Sequence, residues 1–358
     1  MNNSDQNVNG GKRRKSARFL VVPLALAVLT AGLTALAAFL LSLGRIPLAM
    51  LVSAICAGAF SALMSSTRSA WCVAVLPASF AAAFFTGGIW CAGYAVAFAA
   101  VASVVYICIQ KKTKAAAAVN YSAAATGIFL ALISTVAFAL AHGGLSLDVF
   151  KTEFNAFFDG MAEDLTKLVA ESGYGDLLDR AAANYSMTSQ ELINSIVTTV
   201  KYVSPSLAVA SVWLYSFVSV QFFKLTVYIL SLTLILPDPK WRYRPNVISA
   251  RIYLADYFVY LAVSLLSGGA GVILIAAENL LYILLLPMMV TGISSVAYSL
   301  RNPVLRGRSL FTVLLLAASL VFLPTVFFFL VAMMGAFYVI FDYRRNKAKQ
   351  NSDGSGGV

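Results

Sequence analysis

Three charged residues lie inside long apolar stretches, and they are the first candidates for chemistry. They are Lys224, Asp256 and Glu278. A charge within the hydrocarbon layer is costly, so such residues mark ion or substrate paths or pair with one another. Helical rise places Lys224 about 30 Å along its helix from the outer side, near the cytoplasmic side, and Asp256 about 8 Å into the next helix from the cytoplasmic side. The two could form an ion pair beside Gln221, one turn before Lys224, or each could be held structurally by headgroups and backbone.

A second group of candidates gathers at the opposite side of the predicted membrane. Glu278 and Asn279 lie near one end of their helix, just after the glycine-rich segment 268–271, and His142 ends another helix. Carboxyl and imidazole groups can titrate near neutral pH when partly buried. This pattern predicts a cation site or a proton relay, although a single histidine at a helix end is also typical of an interfacial position.

The sequence carries no motif for enzymatic chemistry. It lacks HExxH, GxSxG, a P-loop and a GxGxxG in a strand–helix context. Its four cysteines fall in or beside apolar blocks without CxxC spacing, so they favour packing over metal binding. We therefore predict that the chain is not an enzyme and that it has no catalytic residue, metal or cofactor.

Composition excludes a soluble protein. Of the 358 residues, 60% are hydrophobic and 11% charged, whereas soluble domains are about 45–50% apolar and about 25% charged. The net charge of +11 comes from basic residues at the ends of apolar blocks, where the positive-inside rule explains them. The partner that this predicts is the lipid bilayer and not nucleic acid.

The spacing of apolar blocks predicts an all-α polytopic helical membrane bundle of about 8–10 transmembrane segments, with an acidic extracytoplasmic helical insert. The first block, from Phe19 to Leu43, is too long for a signal peptide and indicates an uncleaved span. The predicted divisions are a basic cytoplasmic tail at 1–18, about five segments in 19–142, the insert at 143–203, about five segments in 204–343, and a disordered cytoplasmic tail at 344–358.

Charge distribution sets the predicted orientation. Most of the 26 Lys and Arg residues fall in segments that this scheme assigns to the cytoplasm. We therefore expect a multi-pass protein of the cell membrane with both termini cytoplasmic. The last block, 309–341, would make about 50 Å of helix, too long for one crossing. Pro324 at its middle predicts two short crossings instead.

The insert at 143–203 holds more than half of the chain's 15 acidic residues. Its apolar residues recur at helical steps and predict one amphipathic helix. These residues are Phe150, Phe154, Phe157, Met161, Leu165 and Leu168. The insert could cover the span ends as a lid or plug, or lie in the membrane interface as a spacer.

A second helix of the insert is expected to begin after Thr188, where Thr-x-x-Glu with Glu191 forms a capping box. Its predicted apolar face consists of Ile193, Ile196, Val197 and Val200. Ser204 and Pro205 then predict the start of the next span, as a cap and a first-turn proline.

Two further groups of residues suggest contacts with other molecules. Ala27, Ala31 and Ala35 repeat every four residues, and such a stripe permits close packing of a partner helix or of a helix of the same chain. The loop residues Lys240, Trp241, Arg242 and Arg244 interleave cations with an aromatic ring beside a span. That combination is typical of binding to anionic lipid headgroups.

Several motifs in the second half resemble a family of bacterial membrane proteins. They are Ser204-Pro205-Ser206-Leu207, Pro239-Lys240-Trp241-Arg242-Tyr243-Arg244-Pro245, Glu278-Asn279-Leu280-Leu281 leading to Pro287 and Gly292, Gly335-Ala336-Phe337-Tyr338 and Phe341-Asp342-Tyr343-Arg344. Together they resemble the YybS-like family, a multi-pass domain of unknown function. The first half is more weakly similar to the substrate-binding subunits of energy-coupling-factor vitamin transporters. In those subunits a small-residue stripe docks the coupling partner, which is the role that the resemblance implies for Ala27, Ala31 and Ala35.

These observations favour one function and leave a second open. The intramembrane polar residues and the transporter resemblance predict a small-solute transport or substrate-binding component, with a coupling membrane subunit as partner. The alternative is a non-catalytic scaffold that recruits envelope proteins through 143–203.

Overall fold

The computed structural model describes residues 5–66, 70–230, 243–267, 271–301 and 306–354. These ranges form α-helices joined by short turns, and no strand is present in them. The helices are α1 Asp5–Ser42, α2 Ile46–Ser66, α3 Ala70–Ala95, α4 Phe98–Gln110, α5 Ala115–His142, α6 Leu147–Ser172, α7 Gly175–Asn184, α8 Ser189–Ile229, α9 Val247–Ser267, α10 Val272–Arg301, α11 Arg306–Phe322 and α12 Pro324–Gly354.

Eight of the described helices are long and apolar enough to cross a membrane. Two further apolar segments, Phe98–Gln110 and Leu310–Val321, are shorter. The chain is therefore an all-α polytopic membrane protein, as the sequence predicts. The predicted range of 8–10 segments includes the eight long helices alone and the eight together with the two shorter segments.

The chain divides into two compact units. The first unit comprises Met1–Ala137 and Ser211–Arg244, and the second unit comprises Phe138–Ala210 and Pro245–Val358. The long helices α5 and α8 each contribute one part to each unit.

Small residues let the helices of the first unit approach closely. Helix α1 packs on α2 and α3, and α2 also packs on α4. A side chain on Gly58 would meet the backbone of Phe222 in α8, and one on Gly87 would meet the carbonyl of Ala38 in α1. Helix α2, rich in Ala and Ser, is the most buried of the eight apolar helices.

The second unit has a core of larger side chains. Helices α9, α10 and α12 contact one another around Tyr253, Leu281 and Met288. Helices α10 and α12 cross where glycine faces backbone, since a Cβ on Gly335 would overlap the carbonyl oxygen of Met288. Only glycine permits this approach.

The block 309–341 forms two helices, as Pro324 predicts. Helix α11 ends at Phe322, α12 begins at Pro324, and the two helices pack together. Proline is suited to the first position of a helix because its missing N–H would have no intrahelical partner there. Helix α3 is likewise broken, at Gly88, whose φ of 77° lies in the left-handed region.

The prediction that a span starts at Ser204 and Pro205 is wrong, because α8 continues through both from Ser189 to Ile229. Pro205 cannot donate to the carbonyl oxygen of Lys201, four residues earlier. The Ser204 hydroxyl donates to that oxygen instead, at 2.9 Å. The side chain next to the proline thus replaces the missing backbone bond.

The insert contains three helical pieces. The capping box is confirmed: the Thr188 N–H donates to Glu191 Oε2 at 2.7 Å, and the Glu191 N–H donates to Thr188 Oγ1 at 3.2 Å. Helix α7, Gly175–Asn184, was not predicted. It is short and has only Leu177 and Leu178 as large apolar residues, too few to show a period.

Only half of the predicted apolar face of α6 is buried. Phe158 is buried against Ile193 and Val197 of α8, whereas Phe157 is 67% exposed. Of the other predicted face residues, Phe154, Met161 and Leu165 join this core, whereas Phe150 and Leu168 are exposed. The apolar residues cover more than half of the helix circumference, so spacing alone could not choose the buried side.

The prediction of disorder from residue 344 is corrected for the described part of that tail. Helix α12 continues to Gly354. Residues 344–350 are mostly Arg, Lys, Gln and Ala, which are good helix formers and extend the preceding helix.

Candidate functional site

The predicted intramembrane charges belong to different units. Lys224 lies in the first unit, where its ammonium donates to Gln221 Oε1 at 3.1 Å, so the shared face of these two residues is confirmed. Asp256 lies in the second unit, on α9. The Lys224–Asp256 ion pair therefore stays a prediction.

Glu278 and His142 both lie in the second unit, but no hydrogen bond or ion pair joins them in the described part of the chain. His142 is exposed and stacks on Phe138, with ring centroids 4.5 Å apart. Glu278 is partly buried on α10. The interfacial alternative for the histidine fits this arrangement better than a shared cation site does.

Asn279 has a structural contact that the sequence did not indicate. Its amide donates to the carbonyl oxygens of Tyr202 in α8 at 3.0 Å and of Ile275 at 2.9 Å. The first bond links α10 to the segment of α8 just before Pro205. Asn279 therefore ties two helices of the second unit together.

Carboxylates and tyrosines form a polar seam along α9 and α10 in the second unit. We use the term polar seam for Tyr253, Asp256, Tyr260, Glu278 and Tyr282. Glu278 interacts electrostatically with Tyr260 and Tyr282, and Asp256 with Tyr253. Asp256 Oδ2 and the Tyr253 hydroxyl are buried and have no hydrogen-bond partner among the described residues. Such a row of titratable groups between helices is typical of proton or cation paths in membranes.

The first unit contains a cavity of about 280 Å³. Side chains from α1, α2, α3, α5 and α8 line it, together with Ala97 before α4. Most of these are apolar, including Leu41, Met50, Leu130 and Val212. None of the described residues that line the cavity is charged. The wall therefore suits an uncharged molecule.

Polar atoms reach the cavity as hydroxyl groups. Ser53 Oγ and the Tyr215 hydroxyl lie 2.9 Å apart, within hydrogen-bond distance, and both residues are buried. Tyr94 and Ser134 form a similar pair at 2.8 Å, where Ser134 is exposed. The cavity lining thus includes one buried hydroxyl pair and a second pair that contains an exposed serine.

Thr126 contributes a third polar group to the same wall. Its side chain is fully buried, and its hydroxyl has no hydrogen-bond partner in the described part of the chain. Threonines in helices commonly donate to the carbonyl four residues earlier, as Thr135 on the same helix does to Ala131 at 2.7 Å. The Thr126 hydroxyl therefore differs from that of Thr135, because it is buried in the cavity wall without such a bond.

The remaining predicted site residues are placed as follows. Ala27 is 9% exposed, and Ala31 and Ala35 are partly buried within the first unit. The Ala35 carbonyl accepts a hydrogen bond from Thr86 of α3 at 3.2 Å, which fits packing inside the chain. Arg244 is exposed, and its three companions in the predicted headgroup cluster, residues 240–242, lie outside the described residues.

The sequence did not indicate the residues of this cavity. Uncharged Ser, Thr and Tyr are frequent in membrane helices, so Ser53, Tyr94, Thr126 and Tyr215 do not stand out as intramembrane charges do. One weak signal was present, since the segment around Ser53 is unusually rich in small residues, which marks close helix contacts.

Comparison with known proteins does not assign the chain to a family. No family model matches the chain, and neither a curated protein nor a solved structure matches it.

Proposed function

We propose that this membrane protein binds a small solute and serves in its transport. The cavity of the first unit is the single observation that supports this most strongly. Ligand sites are typically concave and mainly apolar, with a few polar groups that orient the ligand. The cavity has this character, and its volume of about 280 Å³ suits a small molecule.

The predicted topology adds support for uptake from outside the cell. Several lining residues lie near helix ends that the charge distribution assigns to the outer face, namely Leu41 at the end of α1 and Ile46 and Ala49 at the start of α2. A solute from outside would reach such a cavity first. The resemblance to substrate-binding subunits of energy-coupling-factor transporters points to the same role, with a coupling membrane subunit and an ATPase pair as partners.

The test is purification of the full chain in a gentle detergent, followed by native mass spectrometry. We expect a stoichiometric small molecule on the natural protein. Ala49→Leu should lose it, because Ala49 is buried in the cavity wall and a leucine side chain would enter the ligand's space. The matched control is Ala131→Leu on exposed α5 surface, which should keep it.

One result would support the proposed transport function and another would contradict it. Recovery of an ATPase pair or a coupling membrane subunit with the loaded protein would support a transport role. A natural protein without any bound small molecule, and with the same spectrum as Ala49→Leu, would contradict the proposal.

A second candidate function is a scaffold that recruits envelope proteins through the insert. One observation favours it: α6 carries a surface groove beside Phe157 and Leu168, which are 67% and 63% exposed. Exposed apolar residues on an acidic helical module are typical of a protein-binding surface.

The groove can be tested without deleting the insert, whose end is part of α8. The double variant Phe157→Ser and Leu168→Ser should lose co-purifying envelope proteins if the scaffold function holds. Leu177→Ser, on exposed α7, is the matched control. Unchanged co-purification in both variants would contradict the scaffold.

A further inference from the structure

The insert carries an open groove along one side of α6, which we call the α6 groove. Its volume is about 550 Å³. Its lining extends from Ala156 to Leu168, about 18 Å along the helix axis. Phe157 and Leu168, near its two ends, are 67% and 63% exposed, so no described part of the chain covers them. The full lining, all from α6, is Ala156, Phe157, Gly160, Met161, Asp164, Leu165 and Leu168.

Small residues leave room in the α6 groove for a partner's backbone. Ala156 and Gly160 both line the groove and are four residues apart, so they lie on the same side of α6. A Cβ added to Gly160 would meet no atom within 4 Å. The length of the groove corresponds to about three turns of an α-helix. Amphipathic helices bind in grooves of this kind with apolar anchors at helical spacing. The shape therefore fits a short helical segment.

Charge indicates what kind of helix the α6 groove suits. The insert at 143–203 holds nine acidic and four basic residues, a net charge of −5 in a chain whose net charge is +11. Asp164 lines the groove and is exposed, and its carboxylate has no ion pair or hydrogen bond among the described residues. Opposite charges across an interface favour association and fix its register. A helix with a basic side chain opposite Asp164 would therefore bind best.

Three other occupants fit the α6 groove less well. Helices that bind a lipid surface have polar faces rich in Lys and Arg, whereas α6 has six acidic and two basic residues. A second copy of the insert has the same net negative charge and would be repelled. The basic clusters of the chain itself fall on the opposite side of the membrane in the predicted topology.

We propose that the α6 groove binds a basic amphipathic helix of about three turns that belongs to another protein. The apolar side of this helix packs on Phe157 and Leu168, and one of its Arg or Lys side chains pairs with Asp164. This inference rests on the scaffold function, which is independent of solute binding, and it specifies the class of partner.

Photocrosslinking of the full chain in cells identifies what lies on the groove. Phe157→p-benzoylphenylalanine keeps an aromatic ring at this exposed position. The same replacement of Tyr185, which is 69% exposed and lies outside the groove, is the matched control. We expect the probe at position 157 to crosslink to a segment of another protein, with an excess of Lys and Arg and with apolar residues at helical spacing. The control should not crosslink to that segment.

Two neutralising variants isolate the contribution of Asp164. Asp164→Asn and Glu163→Gln each remove one negative charge from α6, but the exposed Glu163 does not line the groove. The crosslinked segment, made as a fluorescein-labelled peptide, is titrated with the full chain in detergent, and its anisotropy is compared with that in protein-free micelles. We expect Asp164→Asn to weaken binding roughly two- to five-fold, as for loss of an exposed ion pair. Glu163→Gln should leave the affinity nearly unchanged.

Any of four outcomes would overturn this partner class. They are no crosslink from position 157, a crosslink only to lipid, to a second copy or to another part of this chain, a crosslinked segment without a basic excess, and an affinity that Asp164→Asn lowers no more than Glu163→Gln does.

Failure of the scaffold function is recognised separately. It would leave co-purification unchanged in the double variant Phe157→Ser and Leu168→Ser. If that variant loses its co-purifying proteins while the crosslinked segment is not basic, the scaffold function stands and the partner class is wrong.

Discussion

The two units of this protein carry different kinds of polar group in their membrane-spanning helices. In the first unit, hydroxyl groups such as Ser53 and Tyr215 bond to each other around a cavity whose described lining carries no charge. In the second unit, Asp256 and Glu278 lie among tyrosines, and Asp256 Oδ2 has no hydrogen-bond partner within the described ranges.

The difference suggests that binding and charge movement are separate tasks. A neutral cavity can hold a solute without changing protonation, whereas buried carboxylates respond to protons and cations. We therefore expect substitutions in the first unit to change binding, and substitutions in the polar seam to change uptake. The predictions below test this comparison, from the largest expected change in stability to the smallest.

The crossing of α10 and α12 in the second unit should be the most sensitive point. Gly335→Ala would force a Cβ onto the backbone of Met288, and we expect the free energy of unfolding to fall by about 3 kcal/mol or more. Thermal unfolding in detergent measures this loss. Gly32→Ala, with open space around its Cβ position, is the control and should be neutral. Equal melting temperatures would contradict the close crossing.

Breaking the Ser53–Tyr215 hydroxyl pair of the first unit should have the second largest effect on stability. Tyr215→Phe leaves the buried Ser53 hydroxyl without this partner, which should cost about 1–3 kcal/mol of unfolding free energy. Chemical denaturation in mixed micelles would measure it, with the exposed Tyr121→Phe as control. If both variants match the natural protein, the pair does not stabilise the unit.

The hydrogen bond between α10 and α8 should contribute less. Asn279→Leu removes the donor to the Tyr202 carbonyl, and membrane interhelical hydrogen bonds average about 0.6 kcal/mol. The same denaturation measurement applies. Ser294→Ala, whose hydroxyl bonds only within α10, should change less still. A loss above about 2 kcal/mol for Asn279→Leu would show that this contact does more than join two helices.

Of these variants, Glu278→Gln should change the free energy of unfolding least and the cellular uptake of the solute most. The described structure gives Glu278 no ion pair to lose, so we expect a change within about 0.5 kcal/mol. Binding in the first-unit cavity should stay unchanged, whereas cellular uptake of the identified solute should fall. Uptake at the natural rate would contradict the separate roles of the two units in binding and uptake. Asp256→Asn and Lys224→Met provide independent checks on the other intramembrane charges.

Local sequence signals predicted the helices well and their faces less well. Pro324 and the Thr188–Glu191 box depend only on neighbouring residues, and both predictions are confirmed. Pro205 failed as a helix start because Ser204 compensates for the missing hydrogen bond, a detail that spacing does not reveal. Phe158 was missed because its buried side depends on α8, some 35 residues further along the chain.

The sequence by itself determined that this is an all-α membrane protein, because apolar block length and charge placement report directly on the bilayer. It also identified Asp256 and Glu278 as charged groups whose position within the hydrocarbon layer is energetically costly. Only the tertiary structure decided where a cavity lies, because Ser53, Thr126 and Tyr215 come from three helices distant in sequence. The surroundings of an uncharged hydroxyl group are likewise decided in three dimensions: Thr135 bonds to its own helix, whereas the buried Thr126 hydroxyl on the same helix has no hydrogen-bond partner among the described residues.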